Sequence, residues 1–154
     1  MKATQIINKL IELGYKISFA ESCTGGLLAA TFVEVPNASK VFNESFVTYS
    51  DESKIKRLGV DVNVIDKYSV YSQEVADQMA EKVAALTNSI VGVGISGIAG
   101  PTGGSDINPV GTVYMSIYIN GKTYSFKEWF KDKERNQVRN LVVDYIINKL
   151  INLL

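Results

Sequence analysis

The chain has 154 residues, with 16 Lys and Arg, 16 Asp and Glu, one Cys and no His. This length predicts one compact domain over residues 1–154, and the balanced charge argues against a protein whose main role is to grip nucleic acid. The absence of histidine excludes a Ser-His-Asp triad, a Cys-His dyad and imidazole metal ligands. A hydrolase of this composition needs another base.

The spacing of apolar residues predicts helices that alternate with short strands. In chain order these are helix 3–13, strand 16–21, helix 27–35, strand 41–50, helical segments 52–58 and 62–67, helix 73–86, strand 89–96, a hairpin of 112–119 and 123–130, and helix 134–150. Strands separated by helices, apart from the hairpin, predict an α/β fold. We expect a three-layer α/β/α sandwich with a mixed, mostly parallel sheet.

Several features bear on location and partners. No run of 18 apolar residues is present and no secretion signal is evident, which together with the single thiol of Cys23 favours a cytoplasmic protein without a membrane span. The carboxylates are scattered, so we predict no metal site and no cofactor. The apolar tail 150–154 packs on the same chain or on a partner, which leaves a homo-oligomer open.

The first motif that could carry out chemistry lies between a predicted strand and a predicted helix. It contains Ser22, Thr24, Gly25 and Gly26. Ligands collect at the carboxyl ends of strands in open α/β sheets, and a helix N-terminus there offers N–H groups to an anion. Ser22 is then a candidate nucleophile exposed at a turn. The alternative is that Ser22 or Thr24 only caps the helix, and Cys23 is interpreted as a small buried thiol.

The second motif follows the next predicted strand and contains Tyr49 and Lys54. A lysine whose pKa is lowered by burial can act as general base toward a serine hydroxyl, and a tyrosine hydroxyl can hold or relay the proton. This is the arrangement that a histidine-free serine enzyme requires. The alternative is a partly buried tyrosine and a solvated lysine.

The third motif is a loop that follows the most buried strand. It has five glycines within residues 97–111 and no Gly-Lys-Ser/Thr sequence, so it is not a P-loop. Its exposed N–H groups predict an anion-binding site, with candidate contacts at Gly97, Gly100, Thr102, Gly103 and Gly104. Farther along, Arg135 and Arg139 share one face of the last helix, where they either bind an anionic group or lie in solvent.

Taken together, these stretches resemble the CinA C-terminal domain family, over nearly the whole chain. The resemblance rests on segment 21–26, on Tyr49-Ser50 with Lys54 and 58–60, on Ser72 with Val75 and 79–80, and on 97–104 and 109–113. It implies a nicotinamide-nucleotide amidase, which converts the carboxamide of nicotinamide mononucleotide to the acid and ammonia. Many relatives carry a further N-terminal domain, and this chain resembles the form without it.

Carried over by position, the resemblance makes Ser22 the nucleophile, with Tyr49 and Lys54 as its partners and Arg135 as the matching arginine of the last helix. Arg139 stays open, since the stretch before Arg135 is one residue longer than usual. Asn108 stands where relatives often have a basic residue. The alternative function is a non-catalytic module that binds a nucleotide or another phosphorylated ligand, with nucleic-acid binding a distant third.

Overall fold

The computed structural model describes residues 1–154, and its helices and strands follow the predicted order. The elements are α1 Lys2–Leu13, β1 Ile17–Glu21, α2 Leu27–Val33, β2 Phe46–Val47, α3 Asp51–Ser53, α4 Val62–Tyr68, α5 Gln73–Leu86, β3 Val91–Gly97, β4 Thr112–Ile119, β5 Lys122–Trp129 and α6 Arg135–Leu153. A 3₁₀ turn spans Ala38–Lys40, and a π-helical turn, Lys54–Leu58, continues α3. None of these helices combines the length and apolarity of a membrane span.

The five strands form one mixed sheet in the order β2-β1-β3-β4-β5. β1 is parallel to both β2 and β3, β4 is antiparallel to β3, and β5 is antiparallel to β4. Every strand except β4 therefore runs in the same direction, which confirms a mixed, mostly parallel sheet. The carboxyl ends of β1, β2 and β3 lie at one edge of the sheet, where the three sequence motifs begin.

Helices cover both faces of the sheet and make the predicted three-layer sandwich. On one face, α1, α2 and α6 pack over a cluster of 25 buried apolar residues. On the other face, α5 lies over the central strands, and a smaller cluster of 6 buried residues fills the space beneath α4 and the π-helical turn. The apolar tail 150–154 packs on this chain, where Leu150, Ile151 and Leu154 lie beside α1.

Two glycines in β3 let α5 approach the sheet closely. A Cβ on Gly92 would lie 2.2 Å from the carbonyl oxygen of Ala80, and one on Gly94 would lie 2.2 Å from that of Ala76. Both distances are far inside van der Waals contact, so only glycine fits there. The predicted apolar run 89–96 is confirmed as a strand buried on both faces, and its glycines mark where the α5 backbone touches the sheet.

The predicted strand 41–50 is wrong over most of its length. Only Phe46 and Val47 pair with β1, and Phe42 makes an isolated bridge to Ile17. Between them, the side-chain oxygen of Ser45 accepts the N–H of Phe19 at 2.9 Å. A side chain thus replaces a backbone carbonyl in the ladder, which interrupts β2.

Helix ends differ from the prediction by a few residues. Helix α2 ends at Val33 instead of Val35, because Pro36 disfavours helical geometry in the residue before it. Helix α6 continues to Leu153, past the predicted end at residue 150, and the partly buried Ile151 and Leu153 of this added turn pack against the core. Helix α5 ends at Leu86 as predicted, and Leu86 is 54% exposed at this last turn.

The substitution Gly94→Ala tests the close contact between β3 and α5. We expect it to lower the free energy of unfolding by about 3 kcal/mol or more, because the new methyl group meets backbone that has no room to move. Gly121→Ala is the control: nothing lies within 4 Å of its Cβ and its φ is +92°, so we expect a loss of about 1–2 kcal/mol from backbone strain alone. Equal losses in urea unfolding would contradict the packing argument.

Candidate active site

The three sequence motifs meet at the carboxyl ends of β1, β2 and β3. They surround a cavity of about 230 Å³, whose lining includes six of the candidate residues and Arg135. The complete lining is Ser22, Cys23, Tyr49, Tyr71, Gly97, Ile98, Ala99, Gly100, Thr102, Gly103 and Arg135. The parallel pairing of the three strands brings these segments together from distant parts of the sequence.

The central contact of the site joins Lys54 to Ser22. Lys54 Nζ lies 3.1 Å from Ser22 Oγ and donates to the carbonyl oxygen of Thr48 at 2.7 Å. Lys54 is only 1% exposed and forms no salt bridge with a carboxylate. The solvated lysine that the sequence left as an alternative is therefore wrong, and Ser22, expected to be exposed, is 7% exposed at the floor of the cavity.

Burial lowers the pKa of Lys54 below its ordinary value of 10.5, while the negative charge of Asp51 acts in the opposite direction. Water solvates an ammonium far better than a protein interior does, so burial favours the neutral amine. Lys54 opens the π-helical turn, a distortion that is frequent at functional sites. The chemistry available here is proton removal from the Ser22 hydroxyl.

Tyr49 and Arg135 form the mouth of the cavity. Tyr49 is 61% exposed, and its hydroxyl accepts a hydrogen bond from Arg135 Nη2 at 2.9 Å. Arg135 Nη1 donates to the carbonyl oxygen of Gly100 at 2.7 Å. The tyrosine hydroxyl thus makes its hydrogen bond with Arg135 and makes none with Ser22 or Lys54, so the expected proton relay has no direct contact in this structure.

The sequence did not decide whether Arg139 binds a ligand. In the structure it lies behind the turn that carries Ser22. Its Nε donates to the carbonyl oxygen of Cys23 at 3.0 Å, and its Nη2 donates to that of Thr24 at 2.9 Å. Arg139 does not line the cavity, whereas Arg135 does. One arginine therefore holds the turn, and the other is available to a ligand.

Glu21 is the main functional residue that sequence reasoning missed. Its carboxylate is fully buried and accepts the N–H groups of Gly26 at 3.1 Å, Leu28 at 3.2 Å and Ala29 at 2.9 Å. An acidic residue just before a helix N-terminus is a recognisable signal, because it satisfies unpaired N–H groups and complements the helix dipole. Glu21 fixes the start of α2 relative to β1.

Glu21 changes what the Ser22 turn can bind. The N–H of Gly26 is taken by Glu21, and the N–H of Gly25 donates to the carbonyl oxygen of Ser22 at 3.0 Å. Thr24, Gly25 and Gly26 do not line the cavity. The expected anion site at this helix N-terminus is therefore not supported by the geometry. The N–H groups of Cys23 and Thr24 have no acceptor in the protein.

The glycine-rich loop forms the opposite wall. Gly97, Gly100, Thr102 and Gly103 line the cavity, and Gly104 lies in an adjoining shallow depression on the outer side of the loop. The N–H groups of Ala99, Gly100, Thr102 and Gly103 have no acceptor within the protein. They can receive an anionic or carbonyl oxygen, as a nest of backbone amides does.

Cys23 is a buried thiol, as interpreted from the sequence. It is 5% exposed, and burial raises the pKa of its thiol to about 11. A thiol is a nucleophile only as the thiolate, so Cys23 is not activated at neutral pH. No group of three or more His, Cys, Asp or Glu side chains is arranged to hold a metal ion.

Fold and site together define a three-layer α/β protein with a buried serine–lysine pair at the carboxyl edge of its sheet. The chain belongs to the CinA C-terminal domain family, whose model matches residues 1–154. This confirms the family resemblance seen in the sequence. The match covers the whole chain and includes every element that lines the cavity.

Individual relatives agree with the family. The chain is 43% identical over 152 residues to a CinA-like protein of Kosmotoga olearia, covering 96% of the chain but 37% of that protein. Among solved structures, it matches the competence/damage inducible protein CihA of Agrobacterium tumefaciens (TM-score 0.96, 35% identity, 99% of this chain, 93% of that chain). It also matches a competence-damaged protein (CinA) superfamily protein of Escherichia coli (TM-score 0.95, 32% identity, 99% and 88%).

The substitution Glu21→Gln tests whether this carboxylate holds the turn that carries Ser22. The amide keeps the shape of the side chain but places an NH₂ group against an N–H donor, so we expect the free energy of unfolding to fall by about 1–3 kcal/mol. Glu12→Gln, at a side chain that is 69% exposed, should change it by less than about 0.5 kcal/mol. A Glu21→Gln protein as stable as the wild type in urea would contradict the role.

Proposed function

We propose that the chain is an amidohydrolase of the nicotinamide-nucleotide amidase type, with Ser22 as nucleophile and Lys54 as general base. The observation that carries the proposal is the 3.1 Å contact between Lys54 Nζ and Ser22 Oγ, made by a lysine that is buried and has no carboxylate partner. A pure binding module has no need for a buried, unpaired amine beside a serine hydroxyl. The family resemblance supplies the substrate, nicotinamide mononucleotide.

In the proposed reaction, Lys54 accepts the Ser22 proton as Ser22 Oγ attacks the carboxamide carbon. The N–H of Cys23 and an N–H of the facing loop, from Ala99 or Gly100, stabilise the oxyanion that forms. The tetrahedral intermediate collapses when its C–N bond breaks, and the leaving nitrogen takes the proton from Lys54 to depart as ammonia. Water, with its proton removed by Lys54, then cleaves the ester to nicotinic acid mononucleotide, and Lys54 returns that proton to Ser22 Oγ as it leaves.

The size of the cavity supports a binding mode in which only part of the substrate is enclosed. At about 230 Å³ it is smaller than the roughly 300–1,000 Å³ of sites that enclose a whole drug-sized ligand. It suits a carboxamide and its ring, with ribose and phosphate outside, toward the exposed loop residues Thr102 and Gly103. Arg135 uses two of its five N–H groups on Gly100 and Tyr49, so three remain for a phosphate.

The substitution Ser22→Ala tests the nucleophile. We expect ammonia release from nicotinamide mononucleotide to fall by at least about 10³-fold in kcat, because no covalent intermediate can form. Cys23→Ala is the matched control at the next residue and should retain activity, since its thiol is protonated and buried. Binding of the nucleotide by the wild type without turnover would contradict the proposal and favour the non-catalytic module.

The pH profile tests the general base. Because only neutral Lys54 accepts a proton, kcat/KM should rise with pH and level off above the lowered pKa of Lys54. Asp51→Asn removes a charge that raises this pKa, so the rising limb should move to lower pH, whereas Glu52→Gln, whose partner is the exposed Lys56, should leave it in place. A limb that is unmoved by Asp51→Asn argues that Lys54 is not the titrating base.

A further inference from the structure

Tyr71 is a cavity-lining residue that neither the motifs nor the proposed reaction uses. It is half-buried and lies in the short connection between α4 and α5, and it lines the same cavity as Ser22. Its hydroxyl makes no hydrogen bond within the protein, whereas its backbone N–H donates to Ser69 Oγ at 3.2 Å. Burial, with nearby negative charge at Asp51, raises the pKa of this phenol, which therefore stays neutral.

The backbone of Tyr71 is held from several directions. Its carbonyl oxygen accepts a hydrogen bond from Asn108 Nδ2 at 3.2 Å, and the carbonyl oxygen of the preceding Val70 accepts one from Ser96 Oγ at 2.8 Å. Asn108, a buried residue of the glycine-rich loop, also accepts from the hydroxyl of Tyr114 at 2.8 Å. These contacts tie the Tyr71 segment to β3, to β4 and to the loop, so the side chain enters the cavity from a fixed position.

The rest of the cavity lining contains one other aromatic residue, Tyr49. The glycine-rich loop contributes no aromatic residue, and the exposed Tyr49 at the mouth is engaged by the Arg135 guanidinium through its hydroxyl. A cationic ligand ring is repelled by that guanidinium and attracted by the face of an aromatic side chain. Tyr71 is the aromatic residue of the lining whose hydroxyl and ring are not held by a cation.

We propose that Tyr71 determines specificity for a planar, positively charged ring, by placing its aromatic side chain against that ring while Ser22 reaches the carboxamide. The inference rests on the proposed function, because the pyridine ring of nicotinamide mononucleotide is quaternary and carries a positive charge. The same nucleotide with a reduced ring keeps the carboxamide and nearly the same size but is neutral. Tyr71 therefore favours the oxidised ring over the reduced one.

The test measures binding of both forms by calorimetry to the Ser22→Ala protein, which avoids turnover. Adding Tyr71→Leu, which keeps an apolar side chain but removes the ring, should weaken the oxidised form by about tenfold and the reduced form by less than about twofold. Tyr71→Phe should keep the preference. Tyr68→Leu is the matched control, since Tyr68 lies outside the cavity and is 42% exposed.

An equal loss for both ring forms, or no loss for the oxidised form, would overturn the inference, provided that thermal melting shows each variant to be folded. Turnover by the wild type is scored separately. A wild type that binds the oxidised form and loses this preference with Tyr71→Leu, yet releases no ammonia, contradicts the proposed reaction and leaves the role of Tyr71 standing. Turnover that is indifferent to Tyr71→Leu in both KM and kcat contradicts the role of Tyr71 alone.

Discussion

The buried amine of Lys54 is the constraint on which the rest of the site depends. An ammonium removed from water without an opposite charge is costly, so the fold itself favours the neutral form. A neutral amine has two N–H groups and one lone pair; the carbonyl oxygen of Thr48 accepts one N–H at 2.7 Å, and Ser22 Oγ lies at 3.1 Å. An imidazole has a pKa near neutrality without being buried. A chain without histidine obtains a neutral amine near neutral pH only because burial lowers the pKa of the lysine.

This arrangement requires that no carboxylate contact Lys54, although charged groups are needed nearby to hold the turn of Ser22. The structure meets both needs by directing those charges at backbone. Glu21 accepts N–H groups at the start of α2, and Arg139 donates to the carbonyl oxygens of Cys23 and Thr24. Each charge is balanced by peptide dipoles, and the Glu21 carboxylate forms no ion pair with the lysine. Movement of Ser22 relative to Lys54 is opposed from β1, α2 and α6 together.

Much of this was predictable from sequence, because each motif follows a strand and parallel strands end at one edge. The order of elements, the three layers and the meeting of Ser22 with Lys54 follow from that rule. The hydrogen-bond partners of individual polar groups cannot be predicted from that rule. Arg135 and Arg139 share a helix face, and only the position of α6 against α2 decides which one reaches the cavity. The interruption of β2 depends on one hydroxyl, Ser45, replacing a carbonyl, which residue patterns do not encode.

The separation of the two arginines also explains how a chain of zero net charge can serve an anionic ligand. The two arginines are about one helical turn of 5.4 Å apart. Arg139 therefore lies behind the turn that carries Ser22, whereas Arg135 lies at the mouth of the cavity. Asn108, at a position that resemblance associates with a basic residue, is buried and engaged with Tyr71 and Tyr114, so it adds no charge there. Recognition of an anion at this mouth then depends on one guanidinium and the unpaired N–H groups of the glycine-rich loop. The backbone N–H groups can donate only to a ligand atom that lies against the loop. The site therefore selects a ligand more by where its acceptor atoms lie than by its total charge.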